Sequence, residues 1–251
     1  MADNKKFPTE VIDLPSEGKL YPEDSPLRSG KIEIKYMTAK EEDILTSQNL
    51  IKKGVVIDTL IDSLIVTPGI KNVDLVLGDK NAVMVAARIL AYGPEYEAQV
   101  IDPNTGDTVD YTFNLADCPF RKLPDDVEPG NNEFTVKLPV SKTEVTFKIL
   151  TGKDEHAIEK EIKSVQKTGN PIAPELTTRL KHSVVSVDGD TTKGSIYSFV
   201  NNLLSKDSLF LRREMTRIAP DIELRQEIDI GGEAVTVEIP MTVEFFWPKA
   251  D

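Results

Sequence analysis

The residues best suited to proton transfer, nucleophilic attack and soft-metal binding are scarce: His156 and His182 are the only histidines, and Cys118 is the only cysteine. His156 lies in the Glu- and Lys-rich stretch Lys153–Lys167 and reads as part of a solvated helix face, while His182 follows Lys181 ahead of a glycine turn. Neither stands beside a Ser or Cys in a recognisable nucleophile motif, so nothing points to a Ser-His-Asp arrangement. A structural zinc site needs about four Cys or His ligands, more than the chain supplies. Asp102-x-Asn104-x-Gly106 and Asp188-x-Asp190-x-Thr192 have the opening spacing of a calcium loop. Its sixth position requires Gly and is Asp107 or Lys193; its twelfth requires Glu and is Phe113 or Phe199. Gly152-Lys153 is followed by Asp154 and lacks the upstream glycine of a phosphate-cradling loop. The acidic pairs Glu41-Glu42 and Asp125-Asp126 read as solvated surface, since neighbours on a helix point apart and the second pair sits among turn residues. No catalytic residue, metal ligand or cofactor site is therefore expected, and the chain reads as a non-enzyme.

The 251 residues carry 42 Asp plus Glu against 30 Lys plus Arg, a formal charge of −12, and 39% are hydrophobic. At about 150 residues per domain the length suggests one large domain or two of roughly 110–130 residues, each large enough for a core. The acidic balance argues against a nucleic-acid partner, because phosphate contacts need clustered Lys and Arg. A lone cysteine gives no internal disulfide and no sign of an oxidising compartment, so a cytoplasmic origin is expected. Met1–Pro8 has no apolar stretch behind Lys5 and Lys6, as a secretory signal would. Ala82–Tyr92, broken by Arg88, falls short of the roughly 20 residues that span a bilayer, so a soluble protein with no membrane partner is expected.

What, then, do the elements position? The chain resembles itself. Ile34-Lys35-Tyr36-Met37-Thr38-Ala39-Lys40-Glu41-Glu42 aligns with Phe147-Lys148-Ile149-Leu150-Thr151-Gly152-Lys153-Asp154-Glu155. Each reads as a strand, then a helix opening. Thr38 with Glu41 spells the T-x-x-E capping box, and in the second copy Thr151 with Asp154 places an acid at the positive end of the helix dipole. Upstream, Val11–Ser16 parallels Thr135–Val140, each reaching Leu-Pro. Downstream, Leu60–Gly69 faces Leu180–Gly189, and Leu77–Asn81 faces Leu203–Asp207, both leading into an apolar helix that stops at Pro94 or Pro220. Each copy closes with a hairpin: Tyr96–Ile101 with Thr108–Asn114 around Asp102–Gly106, and Glu223–Ile230 with Ala234–Met241 around Gly231-Gly232. Period-two alternation sets Val109, Tyr111 and Phe113 on one face, and Ile228 and Ile230 in phase on another strand.

The expected fold class is thus α+β: two related modules from an internal duplication, each with antiparallel strands or hairpins and about three helices. The modules span residues 1–124, with a flexible N-terminus, and 133–251, joined by a linker at 125–132 in the Pro-, Gly-, Asp- and Asn-rich stretch around Leu123–Asn132. Pro22–Gly30 is much longer than its counterpart Ser141–Thr143 and reads either as a partner-binding segment or as a mobile surface loop.

The ending Met241-Thr242-Val243-Glu244-Phe245-Phe246-Trp247-Pro248 holds three consecutive aromatics, including the only Trp, in a chain that is 6% aromatic. Read as a strand, it puts Phe245 and Trp247 on one face and Phe246 on the other, so one face meets either a covering helix or a partner. Leu20, Tyr21 and Pro22 at the mouth of the long loop join Phe245, Phe246 and Trp247 as candidate partner-binding residues. Thr38, Glu41, Thr151 and Asp154 are structural caps.

The strings Leu14–Pro22 (LPSEGKLYP), Met37–Ser47 (MTAKEEDILTS), Gly78–Ala82 (GDKNA) and Val243–Pro248 (VEFFWP) together resemble the T4-type bacteriophage baseplate protein family, over nearly the whole chain. The resemblance implies a structural component of the baseplate hub of a contractile-tailed phage, or a transient hub-assembly chaperone absent from the mature virion. Its implied partners are other hub and tail proteins, with room for a homo-oligomer within the tail symmetry. Its implied location is the virion baseplate after assembly in the host cytoplasm. It brings no catalytic residues to carry over. Some relatives have paired cysteines at the hairpin tips, where this chain has Asp102–Gly106 and Asp229–Glu233. A remaining reading, an enzyme with an unrecognised site, would show as a pocket holding His156 or His182 with a carboxylate in hydrogen-bond reach.

Overall fold

In the computed structural model, residues 7–102, 104–167 and 173–247 are described. Expectations placed on Met1–Lys6, Pro103 and Pro248 lie outside them. The first half runs β1 (Thr9–Asp13), β2 (Lys31–Lys35), α1 (Ala39–Thr46), α2 (Gln48–Lys53), α3 (Val56–Leu64), α4 (Leu77–Tyr92), β3 (Glu95–Ile101), β4 (Thr108–Asn114) and β5 (Phe120–Arg121). The second runs β6 (Phe134–Lys137), β7 (Glu144–Phe147), α5 (Gly152–Lys167), α6 (Glu175–Ser183), β8 (Val184–Val187), α7 (Lys193–Asn201), α8 (Ser205–Ile218), β9 (Asp221–Ile222), β10 (Arg225–Ile230) and β11 (Glu233–Glu238). The class is α+β, with eight α-helices and small antiparallel sheets among the described residues. Each half holds four helices, one more than the sequence suggests, because short α2 and α7 form in stretches with no strong apolar stripe.

The segments before each Leu-Pro pair become strands. β1 pairs with β2 so that Ile12, Ile32 and Ile34 turn inward, and β6 pairs with β7 so that Val145 and Phe147 do the same. Beyond Ile34 the chain makes a single bridge to Ile65, whereas β8 adds a full third strand beside β7. The helices α4 and α8 both begin two residues beyond a buried or half-buried aliphatic, which sets Asp79 and Asp207 at the same third helical position. The sequence alignment that opposes Leu77 to Leu203 is thus two residues out of step with the helix starts.

The closing hairpins form where turn chemistry predicts. β3 meets β4 with Tyr96 opposite Phe113 and Val100 opposite Val109; β10 meets β11 across Gly231-Gly232. Their inner residues, Tyr96, Val100, Phe113, Ile228 and Ile230, are buried in one continuous core. The hairpins meet at their tips, and the short strands that flank them pair at the base. At the base β5 pairs with β9, Phe120 opposite Ile222, and at the tips Gly231 lies against the Asn104 amide.

The halves interlock rather than hang from a tether. Val76 bridges Thr151, the Leu77 N–H donates to the Leu150 carbonyl at 3.2 Å, and the Gly152 N–H donates to the Leu75 carbonyl at 2.9 Å. At Gly78 a methyl group would overlap the Pro220 carbonyl, so only glycine lets α4 start against β9. The stretch 123–132 is irregular, as its composition predicts, and it is tied down: Leu123 is buried, the Gly130 N–H donates to the Lys19 carbonyl at 2.7 Å, and Asn132 exchanges two 2.9 Å bonds with Ile149.

One predicted element is corrected. Val243–Phe246 is a turn of 3-10 helix, not a strand. β11 ends at Glu238, and Pro240 has no N–H with which to extend the ladder. With about three residues per turn, successive side chains no longer alternate between opposite faces. Phe245 and Phe246 can then both face inward.

Candidate functional site

Asp79 is fully buried, and it organises the Leu14–Pro22 string. Its Oδ1 accepts from the Ser16 backbone N–H at 2.9 Å, and its Oδ2 accepts from the Ser16 hydroxyl at 2.5 Å and the Tyr21 hydroxyl at 2.6 Å. Tyr21 in turn accepts from the Val76 N–H at 3.0 Å. Burial pushes the Asp79 carboxyl up despite these donors, and burial together with the neighbouring Asp79 pushes the Tyr21 phenol up. Around this clamp the chain turns back through Gly18, whose φ of 76° and contact with the Arg28 backbone exclude any side chain. Leu27 is fully buried, and the Arg28 guanidinium spans the carbonyls of Gly18, Lys19 and Tyr21 at 3.4–3.5 Å. The long loop is a packed structure with its own 3-10 turn, Pro26–Ser29. In the second half Asp207 accepts from the backbone N–H groups of Val140 and Ser141 at 2.8 and 2.9 Å, the same clamp without the loop.

The predicted caps close in both halves. Glu41 Oε2 accepts from the Thr38 N–H at 3.0 Å and the Thr38 hydroxyl at 2.6 Å, while Oε1 takes the Lys35 ammonium at 2.7 Å. Asp154 does the same with Thr151, at 3.0 and 2.9 Å, and with Lys148, at 2.7 Å. Burial would raise the Glu41 carboxyl, but the hydrogen bonds from Lys35 and Thr38 outweigh it and bring it down to about 2. Asp154 is lowered by the same balance.

The histidines are more engaged than their sequence context suggests. His156, on α5, meets Asp58 of α3 at 2.6 Å, and Asp58 also holds Lys80 of α4. Burial of Asp58 is outweighed by Lys80 and His156, which lower its carboxyl. A shallow pocket beside His156 is lined by Val55, Glu159, Lys160, Lys163, Ser164 and Lys167. Both parts of the pattern named for an unrecognised site are thus present, a pocket lined by His156 and a carboxylate in hydrogen-bond reach, while no hydroxyl or thiol is hydrogen-bonded to His156 among the described residues, as an activated nucleophile would be. His182 pairs with Glu161 at 3.1 Å in the same manner. No group of three His, Cys, Asp or Glu side chains that could hold a metal occurs among the described residues.

The candidate partner-binding residues divide. Phe245 and Phe246 are fully buried, packed edge-to-face at 5.5 Å, with Phe245 also 5.2 Å from Tyr96. The Phe245 carbonyl accepts from the Arg88 guanidinium at 3.1 Å. Leu20 and Tyr21 are buried as well. These four belong to the interior, because the 3-10 turn and the Asp79 clamp fold them inward. Pro22 is exposed and Trp247 is 37% exposed, so these two alone of the six remain at the surface. Sequence reasoning missed Asp79 and Asp58. The available signal for Asp79 was an acid in the first turn of an otherwise apolar helix, which also fits simple dipole stabilisation.

No helix among the described residues is long and apolar enough to cross a membrane. No curated protein and no solved structure matches the chain. The model of the family described as T4 bacteriophage base plate protein matches residues 7–247, from the exposed Phe7 ahead of β1 to Trp247, and this chain belongs to that family.

Proposed function

We propose that this protein is a structural subunit of the baseplate hub of a contractile-tailed bacteriophage, acting through protein–protein contacts in tail assembly and not by catalysis. The observation that carries the reading is the family match over nearly the whole chain. The site geometry agrees with it: Asp58, Asp79, Glu41 and Asp154 all spend their charge on internal bonds. Its partners are other hub and tail proteins, its place is the virion baseplate, and it needs no cofactor. Trp247 and Pro22 are its surface contacts to those partners.

The proposal includes two related modules, 1–124 and 133–251, that arose by duplication. Supporting it are the paired Lys-Thr-acid corners, the paired aspartate clamps on Leu-Pro turns, and the paired closing hairpins. A duplicated module presents two related surfaces to a symmetric assembly. Mass spectrometry of purified virions tests the reading. A constant copy number per particle is expected; consistent absence would overturn it in favour of an assembly chaperone that departs. Trp247→Ala should lower co-purification with hub proteins while the fold is kept.

A further inference from the structure

A groove of about 410 Å³ runs along the seam between the halves. Its floor and walls are aliphatic: Leu77, Leu150, Leu176, Leu180, Met215 and Pro220. Two helices, α6 and α8, flank it. Leu176, on its rim, is 44% exposed, and Leu209, one turn before Arg212 on α8, is 42% exposed, so the apolar strip continues along the helix.

The side chains that line the groove carry more positive than negative charge. In a chain of net charge −12, the groove is lined by Lys148, Arg179 and Arg212 against the single acid Asp221. Lys148 is held by Asp154, and Arg179 is gripped by both oxygens of Glu155 at 2.5 and 2.8 Å. Asp221 is taken by Asn81 and Arg121. Arg212 has no hydrogen-bond or ion-pair partner among the described residues. A groove between helices, apolar at its base and carrying an unspent guanidinium at its edge, matches one occupant: the apolar face of a helix with carboxylates flanking that face.

We propose that this groove docks an acidic amphipathic helix of a partner protein, with its leucine-like side chains over Leu176 and Met215 and a carboxylate on Arg212. The inference rests on the reading of the chain as an assembly subunit and names the chemistry of one partner. A helix laid along α6 and α8 would cover Leu176 on the groove's rim and Leu209 beyond it, and would set an anion against Arg212.

The test uses the full-length protein and fluorescein-labelled helical peptides of about 15 residues. One has Leu at i, i+3, i+4 and i+7 flanked by Glu; a second replaces Glu by Lys; a third replaces Leu by Ser. Fluorescence anisotropy should show saturable binding of the first and at least tenfold weaker binding of the other two. Arg212→Glu and Leu176→Glu, both at exposed positions, should each weaken the first peptide about tenfold, with melting curves and circular dichroism unchanged. Arg213→Glu, the adjacent arginine that does not line the groove, should leave binding within about twofold. Equal binding of the Lys and Glu peptides, unchanged binding by the groove variants, or no binding at all overturns the proposal. So does light scattering that shows the groove variants abolishing self-association while the peptide never binds, since the occupant is then a second copy. The virion assay is independent: peptide binding by a protein absent from virions would retain the groove and discard the hub-subunit reading.

Discussion

Glu41→Gln gives a quantitative check on the corner that joins β2 to α1. Gln has the shape of the protonated acid, so it can keep an oxygen toward the Thr38 N–H and hydroxyl but sets an uncharged amide against Lys35. The Glu41 carboxyl titrates at about 2 in the folded protein against an ordinary 4.5. That gap, at about 1.4 kcal/mol per pH unit, is worth about 3 kcal/mol in favour of the ionised native state at pH 7. Because the folded value is the lower one, this contribution is complete above the unfolded value and drains away as pH falls from about 4.5 toward about 2. Urea unfolding followed by circular dichroism should therefore show wild type more stable than the variant by about 3 kcal/mol at pH 7, narrowing to about 2 kcal/mol at pH 3.5. Lys35→Met should lose stability in the same pH-dependent way, since it removes the same ion pair. A difference that stays constant from pH 7 to pH 3.5, or one below about 0.5 kcal/mol throughout, would refute the assignment, because the pair would then behave like an ordinary exposed salt bridge.

Two other substitutions probe the packing. Gly78→Ala should be poorly tolerated, costing about 2 kcal/mol or more, because the added methyl meets the Pro220 backbone and not a side chain that can turn away; a melting temperature within a degree of wild type would contradict the close approach of α4 to β9. Phe246→Ala should destabilise by about 3–5 kcal/mol by emptying a fully buried site, while Trp247→Ala should cost less than about 1.5 kcal/mol, and equal losses in urea titrations would contradict the inward turn.

Much of this architecture is local, and local features are legible in a sequence. The hairpins β3–β4 and β10–β11 follow from turn residues flanked by alternating apolar positions, and Thr38 and Thr151 start helices because the side chains that satisfy their ends lie three residues away. The α+β class follows from the same short-range periodicities. The family resemblance, too, is a matter of strings read along the chain, and it covers what the family match covers.

The tertiary structure decided what depends on residues far apart. Nothing near Asp79 announces that it will hold Ser16 and Tyr21, 63 and 58 positions earlier, or that His156 will meet Asp58 across 98 residues. The aromatic ending illustrates the physical reason. Its composition demands burial, but whether burial comes from a partner or from the chain's own core depends on the backbone after Pro240, where a lost donor ends the strand and a tighter turn takes over. Hydrophobic attraction has no direction and sets only that Phe245 and Phe246 must leave water. The hydrogen bond from Arg88 and the ring of Tyr96 determine where they go.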